Sequence, residues 1–230
     1  MRYIQITQNR SGTHMIAGLL FPQPHMNVWH GWNLQLSRKP ERLADFIEQE
    51  HAKHPPGTFV GCMTHFGEMR APGRNNPWQH SWTRLRNLHD KCIVLIRNNT
   101  LRRYLSIQIA KSTGKWHCNT PRESQPTVQL NLQAYLRHTE LHTWTYTQVM
   151  EWIHPYLFLT YEDLVSGWER STKMVYDYLD LEWNNPKPPV CQQEHRLVKD
   201  IVSNWGQVMD GASRLPPNGV TTKLLKELNS

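Results

Sequence analysis

The sequence predicts an α/β fold, a single domain over residues 1–230 built on a central parallel β-sheet flanked by helices. Three observations carry that expectation. Four short runs of β-type composition stand along the chain, at least one helical-looking segment separates each from the next, and 230 residues are enough to bury one sizeable core. Such alternation is the βαβ pattern, because parallel neighbours need a long crossover and a helix usually supplies it.

The first strand is Tyr3–Thr7 (YIQIT), and a polar, glycine-containing turn leads from it into a short apolar helix, Thr13–Leu20. A helix over Pro40–Lys53 precedes the second strand, Thr58–Met63 (TFVGCM). Another, Trp78–His89, leads to Cys92–Ile96 (CIVLI), an unbroken apolar run of the kind that parallel sheets bury on both faces. Helices are expected over Asn99–Ser112 and Val128–Ile153, then the fourth strand, Leu157–Thr160, and helices over Gly167–Leu179 and Glu194–Met209. The irregular stretches Phe21–Lys39, His65–Pro77 and Lys115–Thr127 are rich in Trp, His, Pro, Asn and Gly, and long loops in compact domains are usually functional or disordered. There is no internal repeat, low-complexity tract or linker, hence no domain boundary, and a frayed C-terminal tail is expected over residues 211–230.

A formal charge of +7 and a pI near 9.3 point to a polyanionic ligand, because the basic residues gather near 97–103 and 111–115 and not in a tail. The cysteines at 62, 92, 118 and 191 contain no CxxC pair, and two of them lie in the apolar runs FVGCM and KCIVLI. Reduced, buried thiols are the usual state there, so neither zinc nor a structural disulfide is expected. No basic n-region precedes an apolar h-region, and no apolar run approaches the roughly 18 residues of a membrane span, so a cytoplasmic protein is expected. Asn9-Arg10-Ser11 and Asn98-Asn99-Thr100 match the glycosylation sequon, but both fall in turns assigned below to a ligand and are read as coincidence.

The first turn, QNRSGTHM, carries the clearest chemistry. A strand that ends in a tight turn and opens a helix aims backbone N–H groups and the positive end of the helix dipole at one point, which makes an anion site. Gly12 permits close backbone approach, Ser11 and Thr13 add hydroxyl donors, and Arg10 can make a charge-assisted contact to a phosphate or sulfate oxygen. The Walker A pattern is absent, with no first glycine and no lysine, which argues against a P-loop nucleotide kinase or other phosphotransferase using magnesium with ATP or GTP. A nucleic-acid-binding module is the other alternative, and against it no helix presents a continuous basic face.

The second constellation is KCIVLIRNNTLRRYLSIQIAKSTGKW. Arg97 ends a buried strand and Ser106 follows about two turns into the next helix. A strand parallel to the first would bring Arg97 to the C-terminal sheet edge, where α/β proteins bind ligands, and there Arg97 and Ser106 could share a second phosphate. A helix cap or ion pair for Arg97 and an ordinary helix-face serine at 106 are the alternatives.

Together these stretches resemble the sulfotransferase superfamily that uses 3′-phosphoadenosine 5′-phosphosulfate (PAPS). QNRSGTHM is similar to its 5′-phosphosulfate loop, and LIRNNTLRRYLS to its 3′-phosphate motif of a strand-terminal Arg followed by a helical Ser. SIQIAKSTGKWH is closest to the bacterial carbohydrate sulfotransferases of the trehalose and nodulation-factor type, and LTYEDLVSGWERSTKMVYDYLDL resembles the family's Tyr-Glu-Asp-Leu strand end and following helix. The resemblance implies a P-loop-like sulfotransferase fold and transfer of a sulfuryl group to a hydroxyl, on a carbohydrate or glycolipid, with 3′,5′-ADP as the other product. Arg10 then stands where the family contacts the bridging oxygen, Ser11, Gly12 and Thr13 hold the 5′-phosphate, and His14 replaces the usual Thr or Ser. Arg97 and Ser106 would bind the 3′-phosphate, and Trp116 would wall the adenine by stacking. No metal is needed, because the leaving group is already a stabilised phosphate.

The base stays open among several residues. His65 lies just beyond the second strand, where the cytosolic branch of the family carries a catalytic His. The trehalose-type branch uses a Glu soon after the first helix, and here that region, FPQPHMNVWHGWN, has His25 and His30 instead. Glu68 is a further candidate. His138 and His142 stand four apart in HTELH, but the zincin pattern needs Glu directly after the first His, so an exposed helix face is expected. Trp29, Trp32, Trp78, Trp82 and Trp116 cluster in or near the irregular stretches, to pack in the core or to stack on sugar rings in an acceptor cleft.

Overall fold

The computed structural model describes residues 1–7, 10, 12–20, 26–30, 40–55, 58–65, 77–114, 126–188, 196–216 and 219–228. These fall into two compact units, one of residues 1–98 and 142–189, the other of residues 99–141 and 190–230.

The first unit is a parallel sheet with helices on both faces, in agreement with the α/β expectation. Its strands are β1 (Arg2–Thr7), β2 (Met26–His30), β3 (Phe59–His65), β4 (Lys91–Ile96) and β5 (Leu157–Thr160), in the order β2-β3-β1-β4-β5. Every pairing is parallel, and β1 is central. β2 was expected to be loop. It is a five-residue edge strand paired only to β3, and so short a segment, polar at Asn27 and His30, carries little β signal.

Period-two alternation sends the strand side chains to two cores. Ile4 and Ile6 of β1, with Cys62 of β3 and Cys92, Val94 and Ile96 of β4, pack with residues of α2 (Pro40–Ala52) and α3 (Pro77–Asn87). Tyr3, Ile93, Leu95 and Leu159 face the other way, toward α1 (Thr13–Leu20) and α7 (Trp168–Tyr178). Tyr3 dictates a glycine: a Cβ on its register partner Gly61 would lie 2.0 Å from the phenol ring. Cys62 and Cys92 are buried free thiols, as expected, and burial raises both, Cys92 to about 12. Trp82, left open above between the core and an acceptor cleft, is 2% exposed in the α2–α3 core, because its α3 position faces the sheet.

In the second unit α4 (Thr100–Thr113) packs with α8 (Val198–Ile201), α9 (Trp205–Ser213) and α10 (Gly219–Leu228) around Leu101, Leu105, Ile109, Tyr135, Val208 and Leu224. Asn99 caps α4 by accepting from the Arg102 amide at 2.9 Å, and Gly114 ends it in the left-handed conformation. The segment from Gly211, expected as a frayed tail, instead completes α9 and forms α10. Its Leu224 and Leu228 are buried, and Glu227 accepts hydrogen bonds from the Thr100 and Leu101 amides, 2.9 Å each, and from Tyr135. Where a single helix was expected over Glu194–Met209, the described residues form two, α8 and α9, with Val202, Ser203 and Asn204 between them.

α5 (Leu132–Ile153) has a more buried face than its HTELH segment suggests. His138 is half-buried and His142 is 6% exposed, which corrects the expected surface face. The cause at His138 is the fully buried Arg103, whose Nη2 donates to His138 Nε2 at 3.0 Å, while the Tyr104 ring packs at 5.1 Å. Among the described residues no three His, Cys, Asp or Glu side chains are grouped to hold a metal ion, and no helix is long and apolar enough to cross a membrane.

Candidate functional site

The C-terminal ends of β3, β1, β4 and β5 lie side by side, and the register decides what meets there. Thr7, last in β1, pairs with His65, last in β3, and on its other side with Leu95 of β4; Ile96 pairs with Thr160, so Arg97 and Tyr161 leave the sheet together. The neighbours of the first strand are those the Arg97 and His65 expectations required.

Among the described residues of the loop from β1 to α1, Arg10 at φ 64° and Gly12 at φ 84° are left-handed. The carbonyl of Gly12 accepts from the Met15 amide at 2.8 Å, which opens α1 directly from the turn. Gly12 is required twice over: its φ strains any L side chain, and a Cβ would lie 2.7 Å from Tyr161 Cδ2. Thr13, first in α1, is buried and its carbonyl accepts from Gln5 Nε2 at 3.2 Å. A backbone loop held this close under a helix N-terminus is suited to an anion.

Polar residues on the α1 face of β1 extend the loop's reach. The Thr7 hydroxyl lies 3.0 Å from that of Thr13 and 2.7 Å from His65 Nδ1, a chain from the loop to the imidazole. Across the loop, the Arg97 guanidinium lies over the Tyr161 ring, 4.4 Å from its centroid. Tyr161 opens α6 (Tyr161–Ser166), whose start is set by a capping box: Thr160 Oγ1 accepts from the Asp163 amide at 3.0 Å, and Asp163 accepts from the Thr160 amide at 3.2 Å. Glu162 then accepts from the Asn98 amide at 2.9 Å, fixing the turn behind Arg97.

Of the sequence candidates, Arg10, Gly12, Thr13, His65 and Arg97 therefore belong to one sheet edge of one unit, and the exposed His14 follows Thr13 on α1. Ser106 is half-buried on α4 in the second unit. Ser11, Trp116, His25, Glu68 and Trp32 lie outside the described residues, as do the side chains of His30, Trp29 and Trp78. Sequence reading assigned no role to Thr7 or to Tyr161. The signal for Thr7 was the polar pair Gln5 and Thr7 on alternate positions of a strand otherwise apolar from Tyr3 to Ile6, since buried polar side chains must find partners. Tyr161 stood in the quoted YEDL motif, but its ring contacts are tertiary.

No family model matches the sequence, and no curated protein matches it either. Among solved structures the chain is similar to mouse sulfotransferase SULT7A1 complexed with PAP, at 16% identity over 99% of this chain and 89% of that one, with a TM-score of 0.49. A likeness that distant leaves the chemistry to be argued from the residues themselves.

Proposed function

We propose that this chain is a sulfotransferase that moves a sulfuryl group from PAPS to an acceptor hydroxyl, on a carbohydrate or glycolipid. The observation that carries the proposal is the junction of a glycine-bearing anion loop, Arg10 to Thr13, with His65 and Arg97 on one sheet edge. The residues fit such a donor: the left-handed Arg10 and Gly12 lead straight into the N-terminus of α1, where anions are favoured, and the loop carries an arginine and no Walker lysine. When bound, the phosphosulfate supplies an activated sulfuryl group on a phosphate leaving group.

Gly12 and Thr13, with Ser11, hold the 5′-phosphate through backbone and hydroxyl donors. Arg10 stabilises the charge that grows on the leaving phosphate as the sulfur–oxygen bond breaks. His65 takes the proton of the acceptor hydroxyl while the new oxygen–sulfur bond forms, so the proton ends on the imidazole and the electron pair on the phosphate. Arg97, steadied by Tyr161, holds the 3′-phosphate.

Calorimetric titration with 3′,5′-ADP, 5′-AMP, ATP and a short oligonucleotide tests this. Binding of 3′,5′-ADP well ahead of the other three is expected. A preference for the oligonucleotide or for ATP would sink the proposal in favour of a nucleic-acid module or a phosphotransferase.

A further inference from the structure

We infer that Thr7 is a positioning residue whose hydroxyl couples the anion loop to His65 and sets which ring nitrogen carries the proton. The inference takes from the proposed function the role of His65 as base and an anion bound in the loop; the hydrogen-bonded chain stands apart from both. Thr7 is fully buried at the end of the central strand, between Thr13 Oγ1 at 3.0 Å and His65 Nδ1 at 2.7 Å, so its hydroxyl serves these two partners and not bulk water.

A hydroxyl has one proton to give, and the chain can run in two directions. In one, His65 Nδ1–H donates to Thr7, Thr7 donates to Thr13, and Thr13 donates onward; Nε2 then carries the lone pair and can accept a proton. In the other, Thr13 donates to Thr7 and Thr7 to Nδ1; Nε2 then carries the hydrogen and cannot act as a base. An acceptor beyond Thr13 selects the first direction. Thr13 is the first residue of α1, beside the left-handed turn of Arg10 and Gly12, so an anion in that loop is such an acceptor. Gln5 braces Thr13 through its carbonyl at 3.2 Å and leaves the hydroxyl to the chain. Loading of the loop with a phosphate or sulfate oxygen thus switches His65 into its basic tautomer, and the imidazolium formed in the reaction keeps its Nδ1–H on Thr7.

Nitrogen-15 spectra of the His65 ring, recorded on the whole protein alone, with 3′,5′-ADP and with inorganic phosphate, test this directly. Either anion should drive His65 to the Nδ1–H tautomer. Thr7→Val, which keeps the shape and removes the hydroxyl, should abolish that response and lower kcat by about 10- to 100-fold, and Thr7→Ser should restore most of both. The inference is overturned if wild-type His65 stays Nε2–H with either anion bound, if neither anion binds, or if Thr7→Val keeps wild-type kcat and ring spectrum. Should phosphate move the tautomer while 3′,5′-ADP does not bind, the relay stands and the sulfotransferase proposal falls. Should Thr7→Val not fold, the wild-type spectra alone decide.

Discussion

Arg97 leaves β4 beside Tyr161 and stacks on its ring at 4.4 Å, which orders a side chain that would otherwise lose much rotamer freedom on binding an anion. Arg97→Ala should weaken 3′,5′-ADP binding by on the order of 1.5–3 kcal/mol, as for a charge-assisted hydrogen bond, and leave 5′-AMP binding little changed. Calorimetry with the two nucleotides checks this, and equal losses for both would remove Arg97 from the 3′ site. Arg10 is assigned to the developing charge of the leaving group, so Arg10→Ala should lower kcat more than it weakens 3′,5′-ADP, which has no bridging oxygen. Steady-state kinetics at saturating donor, set beside product binding, separates the two effects. His65→Ala, folded and still binding 3′,5′-ADP, should lose about 10²- to 10⁴-fold in turnover. Retention of a tenth or more of wild-type activity would send the search for the base to His25, His30 or Glu68.

At the scale of elements, α4 depends on α10. The first amides of a helix have no partner within it, and here the Glu227 carboxylate accepts from those of Thr100 and Leu101 and from the Tyr135 hydroxyl. Because Glu227 is buried, its removal strands donors that water cannot easily reach. Glu227→Ala should cost on the order of 1–3 kcal/mol and raise hydrogen exchange in the first turn of α4. Unchanged protection at Thr100 and Leu101 would show that the cap is dispensable. The N-terminus of α1 differs, since no described carboxylate accepts from its first amides, and it is the helix start that faces the glycine loop.

Across the whole molecule, burial holds histidines neutral in both units. His51 and His89 meet edge to face at 4.8 Å in the first unit, and burial lowers them to about 4 and about 3, with the nearby Arg2 adding to both shifts. His138 in the second unit is lowered to about 4 by burial and then by Arg103. Above an unfolded value of about 6.5, neither state takes a proton and these groups make stability independent of pH. As pH falls below that value the unfolded chain protonates and the folded chain does not, so stability falls, down to about pH 4 for His51 and His138 and about pH 3 for His89. Melting temperature measured from pH 7.5 to 4 should be flat at the upper end and decline below about pH 6.5. A flat profile down to pH 4.5 would mean that these histidines charge in place.

The sequence by itself determined the α/β class, four of the five strands and the glycine turn that leads from β1 into α1, because these rest on local signals. Apolar runs too short for helices, a glycine between a strand and an apolar helix, and an arginine at a strand end all act within a few residues. The edge strand β2 was illegible because a five-residue strand paired on one side needs little β propensity of its own. α10 was illegible because what holds it, the bonds of Glu227 to Thr100 and Leu101, spans more than a hundred residues. Trp82 and His142 could be placed in the interior only by the packing around α3 and α5, since neither residue type says which way its helix turns. The tertiary structure alone decided that Thr7 touches His65 and that Tyr161 lies under Arg97 and against Gly12, because both contacts come from the register of parallel strands whose partners are far apart in the chain.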